Sequence, residues 1–162
     1  MSSSSHYAGF WMRFVAVVID GFILSILQNL IIFPVLGLFG LSFMAGFSDF
    51  NPMMLEEEEI LEMLPALMGA IGGIMAISGL VSILYYAIME SGKYQATLGK
   101  MALGIQVTDE NGNGLSFFKS VIRQIGKYFS GCFLMIGYIM AAFTSKKQAL
   151  HDMMAGALVV KK

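Results

Sequence analysis

The feature that most constrains this chain is a run of 28 residues, Gly21 to Ser48, that contains no charged side chain. About 20 apolar residues in a helix are enough to cross a hydrocarbon layer roughly 30 Å thick. Arg13 and Asp20 precede this run and share one helix face, about 10 Å apart along the axis. We therefore predict a first membrane span from Phe10 to about Phe33, with Asp20 inside the apolar layer. A charge at that depth costs at least a few kcal/mol unless it is paired, hydrated or protonated.

The composition is typical of a membrane protein. Of the 162 residues, 57% are hydrophobic and 13% are charged, whereas about a quarter of a soluble domain is charged. We expect one membrane domain over residues 1–162. Its expected partner is the lipid bilayer, and no bound nucleic acid is expected. The first apolar run is too long for the apolar part of a signal peptide, so we expect that it is not cleaved off. The sequence has no hydrolase, kinase, dinucleotide or metal signature, and its two histidines are too few for a histidine-based metal site. We therefore expect no enzymatic activity, cofactor or metal.

A second uncharged run, Leu64 to Met89, predicts a second membrane span. It contains small residues at Gly69, Gly73 and Ala76, which let helix backbones approach closely in lipid. Their partner is expected to be either the first span or another copy of the chain. Between the spans, residues 49–62 hold six acidic side chains and no basic one. This pattern indicates either a solvated loop leading into a helix N-terminus or a vestibule that collects cations.

Two apolar stretches are poor candidates for simple spanning helices. Pro34, followed by glycines at 37, 40 and 46, makes the end of the first run a poor continuous helix. Ser130 to Thr144 is apolar but only about 22 Å long as a helix, which is short for a full crossing. That segment is expected either to cross as a third span or to enter the membrane and return.

Two short strands and an amphipathic helix are predicted in the second half of the chain. Alternating polarity predicts a strand from Leu103 to Thr108, followed by a turn over Asn111 to Gly114. A second strand-like run, Ala157 to Lys161, is expected to pair with the first. Phe117 to Phe129 predicts an amphipathic helix that lies in the membrane interface with its basic side outward. Its predicted apolar face is Phe117, Phe118, Val121, Ile122, Ile125, Tyr128 and Phe129, and its predicted polar face is Lys119, Ser120, Arg123, Gln124 and Lys127.

The distribution of charge predicts the orientation in the membrane. Loops rich in Lys and Arg remain in the cytoplasm, and the basic residues around the two spans lie on the side opposite the acidic loop. We expect the N-terminus and tail in the cytoplasm and residues 49–62 outside. The predicted fold class is an all-α membrane protein with two transmembrane helices and an interfacial amphipathic helix. A short third or re-entrant apolar segment and a small cytoplasmic β-hairpin-like element complete it.

Taken together, these segments resemble the RDD family of small bacterial multi-pass membrane proteins. That family is named for an arginine at the start of the first helix, an aspartate within it and an aspartate near the end; Arg13, Asp20 and Asp152 match. Residues 97–112, TLGKMALGIQVTDENG, resemble the family's middle motif of a Gly-Lys pair, a glycine, a strand and a turn. Ala157 departs from the threonine often found there. The resemblance implies a bacterial inner-membrane protein that takes part in transport; proton-linked sodium export is attributed to some members.

The two aspartates are the candidate functional acids. Asp20 is either a protonatable or cation-binding site or a permanently paired residue that holds helices together. Asp152 is expected to pair with Arg13 or Arg123, or to cap backbone amides, rather than to form a catalytic dyad with His151. We predict that Arg13, Asp20 and Asp152 act as one electrostatic unit, with water or Asp152 bridging the gap between Arg13 and Asp20.

Two functions are compatible with these patterns. The leading hypothesis is a transporter or transporter subunit for ions or small solutes, coupled to protons or sodium through Asp20 and gated by Arg13 and Asp152. Two spans and a partial third cannot enclose a path alone, so this hypothesis needs a homo-oligomer or another membrane protein. The alternative is a non-transporting accessory or assembly protein in which the Arg/Asp/Asp set is structural.

Overall fold

The computed structural model describes residues 6–46, 57–132, 140, 141 and 143–162. Its main elements, in chain order, are α1 (Phe10–Gly46), α2 (Glu57–Ser91), α3 (Leu98–Ala102), β1 (Ile105–Asp109), α4 (Phe117–Cys132), α5 (Leu150–Met154) and β2 (Ala157–Lys161). The middle of the predicted third or re-entrant segment, residues 133–139, lies outside the described residues.

Helices α1 and α2 are long and apolar enough to cross a membrane, over Phe10–Ser42 and Leu61–Ser91. A helix of this composition in the core of a soluble protein would be mostly buried, whereas very few side chains of these two stretches are buried. Contiguous apolar surface of this extent marks a contact with membrane or with protein. The two helices agree with the two predicted spans.

The expectation of a poor helix beyond Phe33 is wrong. Helix α1 continues through Pro34 to Gly46, so the proline removes one backbone donor without ending the helix. In apolar surroundings, a backbone that left the helix would expose amides and carbonyls with no water to bind them. Helix α2 is described from Glu57, so the end of the acidic run is helical, while residues 49–56 of that run lie outside the described residues.

The described chain divides into two compact units, of which the second is Leu24–Val81 and the first contains the rest. In the second unit, Gln28 Nε2 of α1 donates a hydrogen bond to the Ser78 carbonyl of α2 at 3.1 Å. Side chains built at Gly69 or Gly73 would meet no described atom within 4 Å, and Ala76 is exposed. No described residue of the single chain therefore covers the small-residue face.

The first unit contains a two-stranded antiparallel sheet in which β1 pairs with β2 and Val107 lies opposite Val159. Strand β2 has the predicted bounds, whereas β1 begins two residues later than predicted and ends at Asp109. Helices α4 and α5 separate the strands along the chain, so the element is a sheet rather than a hairpin. The predicted turn is confirmed, with Asp109 N donating to Asn113 O at 2.8 Å. The core cluster is Ala8, Ala16, Ile105, Val107, Leu115, Ala155, Ala157 and Val159.

Helix α4 has the two faces that the sequence predicts, but most of its polar face is buried. Its polar face turns inward, and four of its side chains are buried: Ser120, Arg123, Gln124 and Lys127. Its apolar face is exposed at Phe117, Phe118, Ile122, Ile125, Tyr128 and Phe129. The prediction that the basic side faces outward is therefore wrong. Arg123 and Lys127 turn inward because carboxylates on other helices bind them there, which leaves the apolar face for lipid or protein to cover.

Candidate functional site

A cluster of buried charged side chains joins the helices of the first unit. We call it the charge cluster, and its members are Arg13, Glu90, Lys100, Arg123, Lys127 and Asp152. Arg123 of α4 is only 2% exposed. Its Nη1 lies 2.6 Å from Glu90 Oε2 of α2, and its Nε lies 2.6 Å from Asp152 Oδ1 of α5. One guanidinium thus connects three helices, because its planar fork presents donors in more than one direction.

Asp152 accepts hydrogen bonds from two further donors. Arg13 of α1 donates to Oδ2 through Nη1 and to the Ala8 carbonyl through Nε at 3.0 Å. The Ala149 amide, just before α5, donates to Oδ2 at 3.2 Å, so Asp152 also caps backbone. Burial alone raises the pKa of Asp152, but Arg123 and Arg13 outweigh it and hold the pKa well below its usual range. Asp152 is therefore a permanent anion.

Glu90 is the second acid of the charge cluster and is 1% exposed. Lys100 Nζ of α3 lies 2.5 Å from Glu90 Oε1, and Lys127 Nζ of α4 lies 3.9 Å from the same oxygen. The Lys127 ammonium also lies 3.8 Å from the centroid of the Tyr86 ring. Burial lowers the pKa of Lys100, and repulsion by Arg123 adds to that effect. Glu90 thus has two close cations and a more distant third.

His151 does not form a catalytic dyad with Asp152. Its Nε2 lies 3.6 Å from Asp152 Oδ1, an oxygen that already accepts from Arg123. Burial lowers the pKa of His151 to about 3, so the imidazole is neutral near pH 7. A carboxylate held by two arginines is a poor base, and the role of Asp152 in this structure is to pair with them.

Asp20 is fully buried in a separate place, the Asp20 site, which it shares with Tyr85, Thr97 and Gly99. Asp20 Oδ1 accepts from the Tyr85 hydroxyl at 2.9 Å and the Gly99 amide at 2.7 Å, and Oδ2 accepts from the Thr97 hydroxyl at 2.5 Å. No described cation lies within ion-pair distance of Asp20. A Cβ at Gly99 would lie 2.9 Å from Asp20 Cγ and would collide with the Ala16 carbonyl, so this approach of α3 to α1 requires glycine.

The structure brings together three of the four charged residues that the sequence singles out. Arg13, Arg123 and Asp152 meet in the charge cluster, whereas Asp20 binds hydroxyl and amide donors. The predicted unit of Arg13, Asp20 and Asp152 is therefore divided, and Arg13 reaches Asp152 instead of Asp20. The cause is geometric: Asp20 lies nearly two turns along α1 from Arg13, beyond the range of direct contact.

Sequence reasoning missed Glu90, Lys100, Tyr85 and Thr97 as site residues. The sequence does carry a signal for Glu90, which is the first charge after the uncharged second span and is followed by basic residues. Thr97 and Lys100 belong to the segment TLGK, in which Thr97 and Gly99 bind Asp20 while Lys100 binds Glu90. No periodicity in the sequence reveals that division.

The fold and the site define a small helical membrane protein with a buried charge cluster and a separate buried carboxylate. The chain belongs to the RDD family, because the model of that family matches residues 7–156. This match confirms the resemblance seen in the sequence. It is similar to the uncharacterized protein YxaI of Bacillus subtilis (strain 168), with 38% identity over 155 residues, 96% of this chain and 97% of YxaI. It is also similar to the uncharacterized membrane protein YteJ of that strain, with 26% identity over 156 residues, 95% of this chain and 80% of YteJ. No solved structure matches the chain.

Replacing Arg123 tests the charge cluster. Arg123→Gln removes a close guanidinium from both Glu90 and Asp152, so the free energy of unfolding should fall by about 3–5 kcal/mol. Adding Glu90→Gln should recover part of that loss, because it removes one of the affected carboxylates. Unfolding of the purified protein in detergent micelles measures both effects, with Lys119→Gln at an exposed position of α4 as the control. Strictly additive losses would show that Arg123 and Glu90 are not coupled.

Proposed function

We propose that the chain is a transporter, or a subunit of a transporter, for ions or small solutes, and that Asp20 binds the coupling ion. The observation that supports this proposal is a difference among the buried carboxylates of the described residues. Asp152 and Glu90 are ion-paired, whereas Asp20, within the first candidate span, accepts only from neutral groups. Asp20 can therefore gain a proton or a cation without breaking an ion pair, and ionisable residues within membrane spans commonly mark ion pathways.

The Asp20 site has the chemistry for either coupling ion. Oxygen is the ligand type that hard cations prefer, and the site combines a carboxylate with the hydroxyls of Tyr85 and Thr97. A sodium ion would require both hydroxyls to turn their hydrogens away from Asp20 and their lone pairs toward the ion, which rotation about their C–O bonds permits. A proton would bind Oδ2, which accepts one hydrogen bond, from Thr97, and has a second lone pair. The proposed coupling ion is accordingly a proton or sodium.

The proposed placement has the N-terminus, the charge cluster and the tail in the cytoplasm and residues 49–62 outside the inner membrane. It is supported by the basic residues of the first unit, since loops rich in Lys and Arg stay in the cytoplasm. The exposed apolar face of α4 supports a position in the membrane interface, with that face toward lipid.

The two candidate spans among the described residues, even with a partial third, do not enclose a path by themselves, so the transport function requires a homo-oligomer or another membrane protein. The uncovered face at Gly69, Gly73 and Ala76 supports self-association, because small residues let helix backbones approach closely in lipid. Size in detergent is therefore part of the functional test below.

The second candidate function is an accessory or assembly role without transport. The charge cluster favours it, since buried ion pairs that link α1, α2, α3, α4 and α5 can serve architecture alone. Under this function the Asp20 hydrogen bonds also hold α1, α2 and α3 together and bind no ion.

Ion flux into proteoliposomes separates the two functions. Under the transport function, Asp20→Asn should reduce flux to the level of empty vesicles while size in detergent stays unchanged, because asparagine keeps the shape but cannot ionise. Asp109→Asn, at the last residue of β1, is the matched control and should leave flux unchanged. Strict monomers with no flux from the unaltered chain would favour the accessory role. Flux that survives Asp20→Asn would show that coupling occurs elsewhere.

Reporter fusions test the proposed placement. A reporter fused after Lys162 should report the same compartment as one inserted near Asn113, and the opposite compartment from one inserted at Glu56 to Glu59. Agreement between the Lys162 fusion and the acidic-loop insertion would mean that the segment before the tail crosses fully and that the proposed tail placement is wrong.

A further inference from the structure

The charge cluster contains four basic side chains and only two carboxylates. Asp152 binds both arginines, and Glu90 binds Arg123 through Oε2 at 2.6 Å and Lys100 through Oε1 at 2.5 Å. Lys127 remains 3.9 Å from Glu90 Oε1, an oxygen that Lys100 already occupies. The charge cluster therefore has two more cations than carboxylates, and Lys127 is the cation farthest from a carboxylate. Buried excess charge is strongly disfavoured.

We propose that Lys127 is a proton-binding site: it releases and recovers its proton while the other basic side chains of the charge cluster keep theirs. This inference goes beyond the proposed function and does not depend on it. An arginine does not release its proton in a protein, so only the lysines can relieve the excess charge. Deprotonation of Lys100 would cost it a charge-assisted contact of 2.5 Å with Glu90, whereas the corresponding distance for Lys127 is 3.9 Å, so Lys127 loses less when it becomes neutral.

The groups that face Lys127 come from several elements. Tyr86 and Glu90 of α2 favour the charged ammonium, as does Asp152 of α5. Arg123 of α4 and Lys100 of α3 repel it, and His151 of α5, which is neutral near pH 7, leaves the balance unchanged. Burial is the largest influence and lowers the pKa of Lys127 to about 7 against the opposing attraction of Glu90.

Lys127 is the more exposed of the two buried lysines of the charge cluster. Its side chain is 9% exposed, compared with 5% for that of Lys100. Ser130 lies one helical turn away and is also buried, and its hydroxyl has no hydrogen-bond partner among the described residues. A hydroxyl in that position can bind water and pass a proton. The buried side of α4 thus combines a surplus base with a polar neighbour.

Nuclear magnetic resonance of the full chain, labelled with ¹³C at lysine Cε and held in detergent micelles, tests the proposal. One lysine signal should titrate with a midpoint near pH 7, and it should disappear in Lys127→Met. Lys119→Met, at an exposed position on the same helix, is the control and should leave that signal in place. A signal near pH 7 that survives Lys127→Met would assign the proton to another lysine. Titration of every lysine above pH 9 would also overturn the proposal.

Thermal unfolding gives a second, independent readout. The pKa of Lys127 is about 7 in the folded protein, whereas the ordinary pKa of a lysine, which applies to the unfolded chain, is 10.5. Between about pH 7 and pH 10.5 the unfolded chain therefore binds more protons than the folded protein. This lysine therefore makes stability rise as pH increases from about 7 to about 10.5. The variant Lys127→Met lacks that rise in stability. The melting temperature of the variant minus that of the unaltered protein should therefore be lower at pH 9 than at pH 6. An offset that is equal at both pH values would contradict the proposal.

Discussion

Taking a carboxylate out of water costs several kcal/mol, and the first unit of this protein meets that constraint at Asp20, Glu90 and Asp152. Glu90 and Asp152 are stabilised by cations from α1, α3 and α4, whereas Asp20 is stabilised by two hydroxyls and an amide. The orientation of α4 follows from the same constraint. Arg123 and Lys127 turn inward to reach the acids, and the aromatic face is left for an apolar environment.

Helix α3 lies between the two kinds of site. Gly99, and Thr97 just before the helix, bind Asp20 of α1, while Lys100 binds Glu90 of α2. Gly99 allows this arrangement because any larger residue would collide with the α1 backbone. A displacement of this five-residue helix would therefore disturb the Asp20 hydrogen bonds and the Glu90 ion pair together. Under the transport function, α3 is the element through which occupancy of Asp20 would reach the charge cluster.

Local pattern and charge in the sequence are sufficient for the features that lie along one segment. The two apolar spans, the two faces of α4, and the strand Ala157–Lys161 all follow from periodicity. Features that depend on contacts between distant parts of the chain do not follow from periodicity. Arg13 pairs with Asp152 and not with Asp20, although Arg13 and Asp152 are 139 positions apart in the sequence. The direction in which α4 faces likewise depends on Glu90, and the passage of α1 through Pro34 depends on the surrounding medium.

The buried acids of the described residues form two sites, an ion-paired cluster and a carboxylate with neutral partners. Two double-mutant cycles measured by unfolding in micelles test this division, one pairing Arg13→Gln with Asp152→Asn and the other pairing Arg13→Gln with Asp20→Asn. We predict a coupling energy of about 1 kcal/mol or more for Arg13 with Asp152, and additivity within about 0.5 kcal/mol for Arg13 with Asp20. Strong coupling of Arg13 to Asp20 and none to Asp152 would contradict the division.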